Sequence, residues 1–395
     1  MVSVVAENSD VARTLGRLVV LSQEAGAKFS DDLVVRCRDG YLSIEAPPAK
    51  AGEVLIDLPW DTLVPLQPFR LAIAGDKFVI SSHDPGLTSA CVECMEAMLE
   101  LYNLTDKLAA HRRTSPWSLI GSYPELLRHI SGAEGGDTAG SRQSPMTPRA
   151  TDRTELDSFF QSRTFGYVDS KVAPRFPVLM PILDAMNHHF AGAPFLYQKQ
   201  GDNLSLLIMR SVPLPGRESE CFAFYGPHDC FETWMAYGFI DQSGHFVRSV
   251  AMTIDLPGLG TIRTTNSITH RDRKDLPPSM TDVHFYVPKL LARRQNQLGI
   301  AALLIPGPRA PRALRRTLRL LITEMSPAHS KLHHLVIRAE GQVIAANRAH
   351  YRNLAAVLRA MTLDDPRLQP IRDNFLRVCD LQMAHLDDYA VYARS

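Results

Sequence analysis

Pro181-Ile182-Leu183-Asp184-Ala185-Met186-Asn187-His188 closes an apolar run and sets a proline, a carboxylate, an amide and an imidazole in one short passage. Working outward, Ser162-Arg163-Thr164-Phe165 lies upstream, while Phe224-Tyr225-Gly226 and Ala236-Tyr237-Gly238-Phe239-Ile240 lie downstream. Nearer the N-terminus come Asp39-Gly40-Tyr41, Ala46, and then Gly52-Glu53-Val54-Leu55-Ile56-Asp57-Leu58-Pro59. Each piece is short, and its force lies in the order and spacing of the whole.

In that order the segments resemble the SET-domain methyltransferases, specifically the branch with the Rubisco large-subunit lysine methyltransferase and the actin histidine methyltransferase. The resemblance covers most of residues 33–240, is patchy between 66 and 155, and is weak beyond 245. It implies an α+β architecture: a β-rich SET fold with a helical insertion, followed by a mainly helical C-terminal domain. Residues 1–245 would form the catalytic part, with the insertion at about 66–155, and residues 246–395 a substrate-binding-like domain. The implied cofactor is S-adenosylmethionine, and the implied acceptor is a side-chain nitrogen of a protein or peptide, lysine favoured and histidine left open.

The resemblance also assigns residues. Tyr225 takes the place of the catalytic tyrosine; Asp39, Gly40, Tyr41, Arg163, Asn187 and His188 fall at cofactor-binding positions; Tyr237, Phe239 and His228 line the acceptor channel. Two positions depart from the pattern. Leu42 replaces a second glycine, a residue used where backbone must pass close to a ligand, and Asp229-Cys230 stand where Ser-Asn is common. They motivate the alternative of a catalytically inactive SET-fold peptide-binding module.

The residue types suit methyl transfer, which needs in-line positioning and exclusion of water more than acid or base strength. A guanidinium such as Arg163 forks onto a carboxylate, although a plain salt bridge is the bland alternative. Asn187 carries donors and an acceptor and could equally cap a helix. Asp184 and His188, four apart, would share a helical face and invite a metal; without a further ligand, Asp184 reads as fixing the turn by accepting backbone donors. Tyr225 could be an ordinary strand-end tyrosine, and Phe239 a core residue.

A chain of 395 residues with net charge +1 is long enough for two domains and has no electrostatic case for nucleic acid or membrane. No apolar run approaches the ~20 residues needed to span a bilayer. Six scattered cysteines are unlike a secreted disulfide framework, so a reducing, cytoplasmic setting and a monomer are expected. Cys91-Val92-Glu93-Cys94 lacks a second pair and reads as incidental within a helix.

Periodicity predicts a helix over 10–26, strands at 33–35, 54–58 and 77–81, and helices from 89 to 130. Ser131 to Ala150 is dense in Gly, Ser, Pro and Thr and reads as a mobile loop. Strands are expected near 250–254, 261–265 and 284–287, with a Pro257-Gly258 hairpin turn between the first two. Beyond Pro288 the pattern is mostly helical, over 313–325, 343–361 and 370–389. Arg312, Arg315, Arg316 and Arg319 share a helical face, either solvated or docking an acidic protein.

Overall fold

The computed structural model describes residues 2–48, 52–131, 154–167, 176–200, 203–326 and 332–393; of the expected mobile loop, all but Ser131 lies outside them. The architecture is α+β, in two compact units: residues 1–114 with 150–227, and residues 115–149 with 228–395.

The first unit opens with β1 (Ser3–Ala6), α1 (Ser9–Glu24), β2 (Lys28–Phe29), β3 (Val34–Arg38), β4 (Tyr41–Glu45), β5 (Val54–Pro59), β6 (Val64–Pro65), β7 (Phe69–Ala74), β8 (Lys77–His83), α2 (Ser89–Leu104) and α3 (Lys107–Thr114). The chain gives α4 (Pro116–Ser122) and α5 (Leu126–Ser131) to the other unit. It returns with α6 (Thr154–Gln161), β9 (Phe165–Tyr167), β10 (Phe176–Leu179), β11 (His188–Gln200), β12 (Asn203–Met209), β13 (Glu220–Cys221) and β14 (Ala223–Phe224). Its sheets run β1-β3-β4-β13, β6-β10-β9, β14-β11-β12-β5-β2 and β7-β8.

Local chemistry sets the ends of these elements. The Asn8 side chain accepts from the amides of Asp10 and Val11 and starts α1, and the Thr88 hydroxyl starts α2, each satisfying amide donors left free at a helix N-terminus. Alternating burial along β3 turns Val35 and Cys37 inward, and β4 buries Leu42, Ser43 and Ile44 in succession. Val35, Cys37, Leu42 and Ile44 join Leu15, Leu18, Leu55, Ile56 and Ile208 in one core, where each large aliphatic side chain contributes about 1.5–3 kcal/mol.

Two close approaches shape the region of interest. Asp39 and Gly40, both at positive φ (49° and 74°), form the two-residue tip between β3 and β4, the geometry that favours Asp-Gly in hairpins. The second is at Gly192, where a Cβ would stand 2.6 Å from the Ala223 carbonyl carbon. There the loop between His188 and Ala193 wraps the β14 strand, both residues registering against Ala223. The Ala223 amide donates to the Asn187 carbonyl and the Ala193 amide to the Phe222 carbonyl.

The second unit continues with α7 (Cys230–Tyr237), β15 (Phe246–Arg248), β16 (Thr253–Leu256), β17 (Gly260–Thr264), β18 (Leu290–Arg294), β19 (Gln297–Ile300), β20 (Leu304–Pro306), α8 (Ala313–Met325), α9 (Leu332–Ala360) and α10 (Gln369–Tyr392). Helix α9 packs on α8, α10 and β16, burying Leu318, Leu321, Val336, Val343, Phe375 and Val378. β16 and β17 meet across Pro257-Gly258 as expected. Residues 284–286 form a single 3-10 turn in place of a strand. Helix does not follow Pro288 directly either, because β18 to β20 come first; β18 is exposed on both faces and β20 buried throughout, so neither shows alternation in the sequence.

The arginine face of α8 is largely spent within this unit. Arg315 forks onto Glu340 and reaches the Ala393 carbonyl, and Arg316 holds Asp282 and the Ser279 carbonyl. The acidic-protein docking reading loses two of its four cations. Cys91 and Cys94 lie in the first turns of α2 as free thiols, and burial pushes Cys94 up to about 12, far from a reactive thiolate.

Candidate functional site

The passage from Pro181 to His188 is not a helix. Residues 183–185 make one 3-10 turn, and His188 opens β11. Asp184 and His188 therefore share no helical face, and Asn187 caps no helix. Among the described residues no group of three or more His, Cys, Asp or Glu is arranged to hold a metal ion. The turn is entered through Ile182 at φ 64°, a conformation rare for a β-branched residue, with its side chain buried.

Asp184 does not hold the turn through backbone donors; its carboxylate accepts from side chains. Arg163 Nη1 lies 2.9 Å from Oδ2, and the Tyr102 hydroxyl donates to the same oxygen at 3.1 Å. The Arg163 guanidinium lies against two rings, 5.1 Å from the Tyr102 centroid and 4.8 Å from that of Phe159, close enough for cation–π attraction. Its Nε is buried and has no hydrogen-bond partner among the described residues. Ser162-Arg163 terminates α6, whose Phe159 and Phe160 sit in the core, and this fixes where the guanidinium emerges.

Asn187 reaches the N-terminal hairpin. Its Nδ2 donates to the Leu42 carbonyl at 2.9 Å and to Glu220 Oε1 at 3.0 Å, and the Tyr41 hydroxyl donates to that same Oε1 at 3.2 Å. Burial and the Glu220 charge both push the Tyr41 phenol up, keeping it a donor. Leu42 thus contributes a backbone carbonyl that needs no glycine, while its side chain fills the core. Gly40 joins through its carbonyl, which accepts from Lys107 Nζ at 2.8 Å.

Tyr225 is held at both ends. Its amide donates to His188 Nδ1 at 3.1 Å, which places the ring proton of a neutral imidazole on Nε2, and its hydroxyl donates to the Met186 carbonyl at 2.6 Å. The His188 and Tyr225 rings are 5.1 Å apart, and Phe195 lies parallel to Tyr225 at 6.4 Å. A phenol that gives its proton to a backbone carbonyl keeps its own lone pairs as acceptors.

No protein-family model matches the chain, and no curated protein does. Solved structures do. The SET domain of LSMT bound to MeLysine and AdoHcy is similar over 96% of this chain and 91% of that one, at 14% identity and a TM-score of 0.41. The same domain bound to lysine and AdoHcy aligns over 97% and 91%, at 13% identity and 0.42. Rubisco LSMT bound to AdoMet aligns over 96% and 92%, at 12% identity and 0.37.

Within the first unit, then, Asp39, Gly40, Tyr41, Asn187, His188 and Tyr225 are linked by direct contacts, by adjacency in the chain or through one shared residue, while Arg163 contacts Asp184, Tyr102 and Phe159. Sequence reasoning missed Tyr102, Lys107 and Glu220; a lone residue inside a helix or a two-residue strand has no pattern to mark it. The three channel residues belong to the second unit and gather by themselves. His228 meets Tyr237 edge-on at 5.7 Å, and Tyr237 lies nearly parallel to Phe239 at 5.8 Å. Burial raises the Tyr237 phenol. Asp229, one of the two departures, is the N-cap of α7 in a full capping box with Glu232, which explains its presence by helix chemistry.

Proposed function

We propose that the chain is an S-adenosylmethionine-dependent protein methyltransferase that modifies a side-chain nitrogen, with lysine favoured over histidine, and that Tyr225 is its catalytic residue. One observation carries the reading: Met186, Asn187 and His188, three successive residues, tie Tyr225, Leu42 and Glu220 around one short passage. The family pattern names these residues, and the contacts join them.

The residues fit such a cofactor. Arg163 has a buried Nε with no hydrogen-bond partner among the described residues and packs against the Tyr102 and Phe159 rings, as suits a carboxylate held away from water. Asn187 spends its Nδ2 on Leu42 and Glu220 and keeps Oδ1 as an acceptor for an ammonium. When bound, the cofactor would supply an electrophilic methyl on a sulfonium. Tyr225, fixed by the Met186 carbonyl, is left to accept from the incoming amine and so aim its nitrogen lone pair. Orientation of this kind is where such a site gains rate, because the reacting atoms must meet in line at roughly 3–3.5 Å.

A lysine acceptor must first lose a proton, since at pKa about 10.4 only about one amine in a thousand is neutral near pH 7.4. A histidine acceptor is already largely neutral there and needs the right tautomer. Calorimetric titration with S-adenosylmethionine and S-adenosylhomocysteine tests the cofactor, and labelled methyl transfer into a protein extract tests the acceptor. One-to-one binding that is lost in Asn187→Ala is expected. No binding of either compound would sink the proposal and leave the interaction module as the better account.

A further inference from the structure

The junction between α2 and α3 presses on the Asp39-Gly40 turn. A Cβ on Gly40 would meet the Thr105 carbonyl oxygen at 3.1 Å, and two residues on, Lys107 Nζ donates to the Gly40 carbonyl at 2.8 Å. The ammonium is half-buried. Three titratable groups from other elements act on it: Arg163 beyond α6, Asp184 in the 3-10 turn, and the Cys37 thiol on β3. On its own helix, His111 also feels Arg163, and burial holds that imidazole down at about 4, so it adds no positive charge near neutrality.

Among the described residues, Lys107 and Arg163 are two cations whose electrostatic interactions converge on one carboxylate, Asp184, whose Oδ2 already accepts from Arg163 and Tyr102. A surplus of positive charge taken partly out of water is costly unless an anion completes it. We propose that Lys107 is a positioning residue for the carboxylate end of the methyl donor, its ammonium acting with Arg163 as the second cation of that subsite while it holds the Asp39-Gly40 turn. The inference rests on the methyltransferase reading above and adds a residue to it.

A consequence follows for proton binding. Burial first, and then Arg163, lower Lys107 from 10.5 to about 8. The charged form attracts a carboxylate, so its contribution is complete below about pH 8 and fades as pH rises through that value.

The test compares wild type with Lys107→Met by calorimetry between pH 6.5 and 10, using S-adenosylhomocysteine and, separately, 5′-methylthioadenosine, which lacks the amino-acid end. The ratio of the two proteins' affinities cancels titration of the ligand itself. At pH 7 the ratio for S-adenosylhomocysteine is expected to be about tenfold or more, as for a hydrogen bond to a charged group, and to approach one by pH 10. For 5′-methylthioadenosine it should stay near one throughout. A ratio of one at pH 7, a ratio unchanged by pH, or an equal loss for both ligands would each overturn the inference. Lys107→Arg serves if the methionine variant does not fold; it should match wild type at pH 7 and exceed it above pH 8, and a parallel decline would also overturn it. Wild type that binds neither ligand would instead bring down the methyltransferase reading itself.

Discussion

Each unit contains an arginine–carboxylate pair close to one of the motifs, and the two are finished differently. In the second unit, Glu232 is almost fully buried against Arg248, at 2.5 Å. Its other oxygen accepts from the Asp229 amide, the Asp229 carboxylate takes the amides of Glu232 and Arg248, and Arg248 also reaches the Asn266 carbonyl. Burial still pushes Glu232 up to about 8. In the first unit, Arg163 and Asp184 keep an unpartnered guanidinium nitrogen and a second cation beside them. The second-unit pair is tied off by backbone amides, although Glu232 Oε1, like Arg163 Nε, has no hydrogen-bond partner among the described residues; the first-unit pair is left with a second cation acting on it.

The comparison breaks if the closed pair proves dispensable. Arg248→Met leaves the Glu232 carboxylate buried and alone, and chemical denaturation should show a loss of about 3–5 kcal/mol. S-adenosylhomocysteine affinity of the folded fraction should not change. The open pair should answer in the opposite way. Tyr225→Phe is expected to slow methyl transfer about 100-fold through lost orientation, with melting temperature and cofactor affinity near wild type; unchanged turnover would remove Tyr225 from its role. Arg163→Lys keeps a charge for Asp184 but loses the fork, so cofactor affinity should fall about tenfold, or about 1.4 kcal/mol, with little effect on melting.

Smaller effects sharpen the contrast. Ile182→Gly and Leu183→Gly each empty a buried position, but only the first relieves a residue held at a sparsely populated positive φ, worth about 1–3 kcal/mol. Ile182→Gly should therefore be the milder, and equal losses would mean the positive φ stores no strain. Finally, His111 is held down at about 4 by burial, so between that value and 6.5 the unfolded chain binds more protons. Stability should rise with pH across that window, and His111→Gln should flatten the slope seen in denaturation at pH 4 to 7.

The short, ordered segments of the sequence marked a neighbourhood: Asn187, His188 and Tyr225 follow or touch one another, and Arg163 pairs with Asp184, three residues before Asn187. The hairpin tip was read as a ligand turn, and the geometry adds a local reason for Asp-Gly, since both residues sit at positive φ. Asp184 was misread because a carboxylate in a turn usually serves the backbone, whereas here a distant arginine and tyrosine reach it. Lys107 and Glu220 left no signal, being single residues whose role depends on partners far along the chain. The β18 and β20 strands were missed because uniform exposure or uniform burial erases the period-two pattern on which strand recognition depends.

The wrapped Ala223 carries a consequence for how the protein is made. The loop that embraces it ends at Ala193, so on a ribosome adding 5–20 residues per second the loop waits roughly 2–6 s before its occupant has been synthesised. Until then the Asn187 carbonyl lacks its strand partner and the Met186 carbonyl lacks Tyr225. The nascent chain therefore assembles this passage late, and a pause or truncation before residue 225 would leave an otherwise folded sheet with no site.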